Sequence, residues 1–381
     1  MRYRITCLTP TLVGDGERLS PIDYMVWKDQ VNVLDQMRIF RLLARGPRLD
    51  GYLSQLKRAE KLDFASWGGF AQNYAGRRIP FEHASSSAVW ERARAENLFI
   101  PTFSTGPAGP YLPGSALKGS IRTALVCARA TSQSLKDAAA KLSKDGRGMR
   151  QAANAVEDSA VGPGASNALR LIGLADSNPI ARAAFKIYLL RVSTLESRGG
   201  KYELAWKQAP RGGTKKVEDS TPIFAEMAVP GTTFEGTFQE NHFLQLPDVA
   251  KAFRSRDRLT VPAMFKTIQD YTGRVLQAQS QYAGWTGLTP LKTGLERLQQ
   301  RHQELSGAEN RCLLPLGWSA GFLSKTAFLD TKDDAYRSIL STVPYYSRAI
   351  QSNLPFPKTR RIVFLNNQPA ALAGFVELEL M

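Results

Sequence analysis

Histidine and cysteine are scarce, three of each in 381 residues, which leaves little material for metal or nucleophile chemistry. Cys7, Cys127 and Cys312 lie far apart with no C-x-x-C spacing, so neither a zinc site nor a disulfide framework is suggested. His83, His242 and His302 each stand alone, and there is no H-x-x-x-H and no D-x-D. Those gaps argue against a zincin helix and against paired carboxylates gripping magnesium. No apolar run approaches the ~20 residues of a membrane helix. The segment Met1-Arg-Tyr-Arg-Ile-Thr6 reads as a strand and not as a secretory signal, so the cytoplasm is the expected location. No short-period repeat is visible.

What the chain has in excess is positive charge. Lysine and arginine total 50 against 34 acidic residues, a formal charge of +16, while 43% of residues are hydrophobic. The apolar fraction supports packed cores, and the length allows two or three domains of ordinary size. A surplus of cations on a folded protein points to a polyanion, because each phosphate neutralised releases condensed counterions. A membrane surface is the weaker alternative, since no basic amphipathic helix with bulky apolar residues and no lipidation signal is present.

The most informative run is Tyr111-Leu-Pro-Gly-Ser-Ala-Leu-Lys-Gly-Ser-Ile-Arg122. It suggests an extended entry, a turn at Pro113-Gly114, and a helix opening at Ser115, whose hydroxyl suits an N-cap. Free amides at such a helix start are a ready phosphate site. At 100° per residue, Lys118, Arg122 and Arg129 fall within about 40° of one another. Leu117, Ile121, Ala124, Leu125 and Ala128 fill the adjoining arc. The same pattern also fits an ordinary capped helix with solvated charges. A Walker loop does not fit, because Lys118 is followed by Gly119 and then Ser120.

Residues 2–13 read as a strand, Gly14-Asp15-Gly16 as a turn, and 24–27 with 31–34 as a hairpin. Met37, Phe40 and Leu43 have helical spacing. Residues 46–98 look like a mostly helical insertion, 99–103 like a short strand, and 131–167 like one helix followed by a loop rich in glycine, including Gly146. Strands follow at 169–176 and 185–195. Residues 197–216 form a basic loop holding Arg198, Lys201, Lys207, Arg211, Lys215 and Lys216 against Glu203, with Tyr202 and Trp206 interleaved. Cations track phosphates and aromatics stack on bases, although a solvated loop has the same composition. Residues 222–238 suggest a hairpin around Pro230-Gly231, 260–280 and 291–306 suggest helices, and 356–364 and 374–380 suggest strands. The order implies an α+β fold with antiparallel sheets. A pair of ferredoxin-like units is expected, residues 1–165 and 166–381.

Four segments in this order resemble the RAMP superfamily of CRISPR effector proteins: Leu8–Gly16 followed by Pro21–Tyr24, Tyr111–Leu125, Leu316–Thr326, and Pro357–Arg360 with Gly374 and the final strand. Within that superfamily they are most similar to the type III-A Csm-complex subunit that caps the spacer-derived 3′ end of the CRISPR RNA. The resemblance implies two RRM-like (ferredoxin-like) domains with helical insertions and a non-catalytic role in guide maturation and antiviral defence, with no cofactor, metal site or catalytic residue. It implies as partners the CRISPR RNA, target RNA, backbone RAMP subunits, small helical subunits, a large polymerase-like subunit and host trimming nucleases. The expected RNA contacts are Gly14, Gly16, Gly114, Ser115, Lys118, Gly119 and Arg122; Arg198, Lys201, Trp206 and Lys215; and Gly317, Gly321, Lys325, Lys358 and Arg360. The alternative is a metal-independent RAMP endoribonuclease that processes guide RNA, for which His83 with Lys118, or Asp15 with Lys118, would supply the acid–base pair. A general RNA-binding protein is the third possibility.

Overall fold

The computed structural model describes residues 1–58, 73–142, 148–210, 212–253, 259–318, 320–352 and 354–381. Arg211, Gly146 and residues 59–72 of the expected insertion lie outside them. Helix and sheet are mixed throughout, and the two larger sheets are antiparallel.

The first sheet has five strands in the order Arg311–Pro315, Phe375–Leu380, Arg2–Cys7, Thr233–Glu240 and Ile172–Leu174. Strand Arg2–Cys7 alternates as a half-buried strand must, with Tyr3, Ile5 and Cys7 in the core. Helix Gly114–Arg129 follows that strand and helix Val261–Thr286 follows strand Thr233–Glu240. Numbered in chain order without Arg311–Pro315, the strands lie 4-1-3-2, the split β-α-β-β-α-β arrangement. The sheet draws on both sides of residue 165, since strand Arg2–Cys7 lies between Thr233–Glu240 and Phe375–Leu380. The two helices pack on each other, and Gly287, with φ +67°, ends the longer one.

The second sheet is organised by Phe185–Arg198, which pairs with Ile223–Ala228, Lys201–Lys207 and Thr359–Leu365. This revises two expectations. The basic segment is no free loop: residues 193–198 pair in register with 201–206 across a Gly199-Gly200 turn, where both glycines have positive φ. Right-handed strand twist favours that turn, which glycine permits at no steric cost. Residues 222–238 are not a hairpin either. Ile223–Ala228 belongs to the second sheet and Thr233–Glu240 to the first. Alternation marked both strands, but each pairs with a strand distant in sequence and not with the other. The Pro230-Gly231 turn carries the chain between sheets, pinned by Gly231 N–H donating to the Cys7 carbonyl at 2.7 Å.

The hairpin Tyr24–Trp27 with Gln30–Leu34 forms as expected and gains a third strand, Ala75–Pro80. It shares a small core with helices Gln36–Leu43 and Leu49–Arg58. In the first of these helices Ile39 and Leu43 are buried, whereas Met37 and Phe40 are exposed. The spacing is helical and Leu43 points inward as expected, but Ile39 and not Phe40 is its buried neighbour one turn back.

Candidate nucleic-acid interface

Helix Gly114–Arg129 begins one residue earlier than expected. Pro113 holds the cap position, with no side-chain cap, so Ser115 is an exposed first-turn residue and not the N-cap. The amide of Gly114 is not free for a phosphate: it donates to Asp176 Oδ1 at 2.8 Å. A carboxylate from the chain itself therefore supplies the negative charge that a helix start attracts. Gly114 is buried because a Cβ there would lie 2.5 Å from the Leu174 carbonyl oxygen and 2.6 Å from that of Ala175. Lys118 is half-buried and its Nζ donates to the Ile172 carbonyl at 2.8 Å, while burial lowers its pKa. Gly114 thus packs against the Ile172–Asp176 segment with its amide taken, a correction to its expected phosphate-binding role, and Lys118 is tied to the same segment through the Ile172 carbonyl. Ser115 and Arg122 remain exposed, and Gly119 is only partly covered. Ala128, placed in the apolar arc by spacing, is exposed.

The outward face of this helix forms one wall of an open groove of about 770 Å³. Gly14, Gly16 and Arg18 line a second wall, and Gly317, Trp318 and Lys325 a third. The walls are tied together by backbone. Trp318 N–H donates to the Leu12 carbonyl at 2.7 Å, Ser104 N–H to that of Val13 at 2.9 Å, and Ser120 Oγ to that of Pro315 at 2.7 Å. Gly317, with φ +93°, sits so close to the Leu12 carbonyl that a Cβ would overlap it. Gly119 is different: a Cβ built there meets nothing within 4 Å, so its bare backbone opens onto the groove.

Charge and aromatic surface meet in this groove. The Arg18 guanidinium lies 4.5 Å over the Phe99 ring, and that of Arg361, behind the wall, lies 4.1 Å over Trp318. Arg122 reaches Glu157 at 3.4 Å while staying half exposed. The exposed Lys325 has its pKa lowered by partial desolvation and then by Arg361. Glu17 is the acidic residue in the lining. Cations beside aromatic faces around an open channel suit a single-stranded nucleic acid, with phosphates on the guanidinium groups and bases on the rings. The groove unites Gly14, Gly16, Gly119, Arg122, Gly317 and Lys325 from three distant segments, and Gly321, with φ +85°, follows in the third.

The second set of expected contacts divides. Arg198 and Lys201 face each other across the Gly199-Gly200 turn and are exposed. Tyr202 beside them stacks edge-on against Trp285 at 5.5 Å, and both rings are partly exposed. Lys215 is neutralised by Glu203 at 3.0 Å and Glu196 at 3.6 Å. Trp206 does not offer a stacking face: it is 3% exposed and packs edge-on against Phe364 at 5.6 Å. Lys358 is half-buried with its pKa lowered by burial and by Lys207. Arg360 is buried, donating from Nε to Gln279 Oε1 at 2.5 Å and from Nη1 to the Pro357 carbonyl at 2.6 Å, with its guanidinium 4.3 Å over Tyr282. Burial pushes its pKa down to about 10. Trp206 and Arg360 are therefore core residues, contrary to expectation, whereas Lys215 keeps an exposed side chain beside its two carboxylates. Successive strand side chains point to opposite faces. That parity sends Arg361, the neighbour overlooked in the sequence, toward Trp318 and the groove. Arg18 and Phe99 were also missed, and only the fold brings them beside the helix.

The sequence pattern of the RAMP superfamily matches residues 4–244. The chain belongs to the RAMP superfamily. The match takes in the glycine turn, the lysine helix and the basic hairpin, while Gly317, Lys325 and Arg361 lie beyond it. Among solved structures, this RAMP protein is similar to a chain of a cryo-EM structure of a Csm–crRNA–target RNA ternary complex of a type III-A CRISPR-Cas system. The likeness covers 100% of both chains at 18% identity, with a TM-score of 0.66. It is also similar to T. onnurineus Csm5, over 98% of this chain and 99% of that one, at 16% identity and a TM-score of 0.61. At these identities the two likenesses speak to the fold. No curated protein matches the sequence.

The acid–base candidates of the nuclease alternative each have a partner in the fold. His83 Nδ1 lies 2.8 Å from Ser85 Oγ, Asp15 accepts from Glu17 N–H at 3.0 Å, and Lys118 holds the Ile172 carbonyl. Among the described residues no hydrogen bond or ion pair joins Lys118 to either candidate partner, and no group of three or more His, Cys, Asp or Glu side chains is placed to hold a metal. No helix among them is long and apolar enough to cross a membrane.

Proposed function

We propose that this RAMP protein is a non-catalytic, RNA-binding subunit of a type III-A CRISPR effector complex and caps the spacer-derived 3′ end of the guide RNA. The observation that carries the reading is the groove in which Gly119, Arg122, Arg18, Phe99, Trp318 and Lys325 converge. An open channel lined by cations and two aromatic rings binds a strand through backbone and stacking, which is what a protein that accepts any spacer sequence requires. Full-length likeness to a chain of a Csm–crRNA–target RNA complex supports the assignment to that assembly. On this reading backbone RAMP subunits and small helical subunits are neighbours, target RNA passes nearby, and trimming nucleases act on the guide end this subunit covers. The two ferredoxin-like units and a cytoplasmic location belong to the same proposal.

The test is to purify the tagged chain with its complex, cross-link bound RNA with ultraviolet light, and map the contacts. Trp318 and Phe99 are expected to cross-link to the last spacer-derived nucleotides. Cross-links confined to the repeat-derived 5′ end, or a preparation free of guide RNA, would overturn the capping role. The nuclease alternative predicts cutting of guide precursor by the chain alone, abolished by Asp15→Ala or His83→Ala; the scaffold reading predicts no cutting.

A further inference from the structure

A second cavity, of about 370 Å³, lies beside the groove and is separate from it. At its wall is Arg191, only 4% exposed, on the central strand of the second sheet. A buried guanidinium ordinarily finds a carboxylate. Here Glu218 is the nearby negative charge that favours the ionised form, but among the described residues no ion pair within 4 Å joins it to Arg191, whose hydrogen bonds come from Nη1 alone, to the carbonyl and, at 2.8 Å, the Oγ of Ser220. No hydrogen bond comes from Nε or Nη2 among the described residues, and the guanidinium, which lines the cavity, lies 5.7 Å from the Phe364 ring. Arg92 and Arg94 bring two more cations to the lining, Glu218 and Asp219 bring two acids, and Asn97 and Gln208 bring amides.

This mixture has a chemical logic. Arginines bind phosphate in a forked geometry. Carboxylates accept from ribose hydroxyls, as the acidic residue of dinucleotide folds does. Side-chain amides read the edges of bases. The volume falls in the range of small-ligand sites. The cavity also adjoins the groove: Asn97 and Pro222 line it, while Phe99 and Ile223 line the groove.

We propose that this cavity holds one ribonucleotide, with its phosphate on Arg191, Arg92 and Arg94 and its free ribose hydroxyls on Glu218 and Asp219. Two sources carry that chemistry: a free nucleoside 5′-monophosphate, and the 3′-terminal nucleotide of an RNA, which has a phosphate on one side and an unblocked diol on the other. The second source deepens the proposed capping role and rests on it; the first does not.

The purified chain is titrated calorimetrically with the four ribonucleoside 5′-monophosphates, with their 2′,3′-dideoxy forms and with inorganic phosphate. Saturable binding of a ribonucleotide is expected, at least 10-fold tighter than its dideoxy form or phosphate alone. Arg191→Lys and the exposed pair Arg92→Ala with Arg94→Ala should each weaken it at least 10-fold, and the rim pair guards against a folding defect at the buried position. If a short RNA with a 3′-hydroxyl displaces the mononucleotide and the same RNA with a 3′-phosphate does not, the RNA end is the source. If neither displaces it, the source is the free nucleotide. No saturable binding, equal binding of the dideoxy forms, or unchanged affinity in both variants overturns the proposal. RNA binding in the groove is measured in parallel with Arg122→Ala, so loss of groove binding with nucleotide binding intact counts against the groove reading only.

Discussion

Glycine in a helix interior is destabilising by roughly 1 kcal/mol relative to alanine, because it loses more backbone freedom on folding. Gly119 bears that cost although nothing beyond its own helical turns lies within 4 Å of a Cβ built there. Gly119→Ala is therefore expected to raise stability by about 0.5–1 kcal/mol while weakening single-stranded RNA binding several-fold, since the added methyl enters the groove. Thermal melting and a binding titration on the same preparation check both signs. Trp206→Ala should behave in the opposite way, losing about 3–5 kcal/mol of stability with binding changed only through unfolding. A Trp206→Ala protein that melts normally but binds RNA weakly would restore the stacking role assigned from sequence. Residue type was legible at this scale and direction was not. Arg360 and Arg361 are adjacent and chemically identical, yet one lies over Tyr282 inside the core and the other over Trp318 beside the groove. Strand parity separates them, and parity depends on where the strand begins.

At the scale of elements, the basic segment 198–216 cannot be exchanged for a flexible linker. It contains the strand Lys201–Lys207, and Ala205 and Trp206 are buried against the sheet. Replacing it is expected to abolish cooperative unfolding, as followed by denaturant titration; changing only Gly199 and Gly200 at the tip should cost far less. A second element-level expectation concerns acid. Glu377 on the Phe375–Leu380 strand pairs with Arg301 at 2.9 Å and Arg311 at 2.5 Å. Burial alone would raise its pKa, but the hydrogen bonds and charges of both arginines together hold it below the ordinary carboxylate value. A depressed folded-state pKa gives stability that is complete above the unfolded pKa, near 4.5, and is lost as pH falls through the folded one. Glu377→Gln should therefore flatten the acid limb of the stability profile below about pH 4.5 and lower stability at neutral pH. An acid limb identical in wild type and variant would show that the pair contributes nothing. The strands themselves were legible, since Ile223–Ala228 and Thr233–Glu240 alternate clearly. Their partners were not, because alternation reports burial of one face and carries no address for the neighbouring strand.

For the whole molecule, the +16 charge is distributed between structural and binding roles. Arg360, Arg191 and Lys118 lie inside or against the fold, whereas Arg18, Arg122 and Lys325 border the groove. Substituting the last three with alanine should lower the slope of log affinity against log salt by about 0.7 for each phosphate of a single strand that is no longer neutralised. A triple variant with the parental slope would remove the groove from the binding surface. The α+β class, the family and the glycine-rich segments could be read from the chain because they rest on local composition and spacing. The groove could not, because residues near positions 14, 119 and 317 meet only after both sheets have closed. The arrangement of the first sheet also has a consequence in time. Among the described residues, strand Arg2–Cys7 pairs with residues 233–237 and 376–380 and with no strand nearer in sequence. At synthesis rates of about 5–20 residues per second, roughly 10–45 seconds pass before its first partner leaves the ribosome. Through that interval Tyr3, Ile5 and Cys7 lack their partner strand, so the nascent chain depends on whatever shields an unpaired apolar strand.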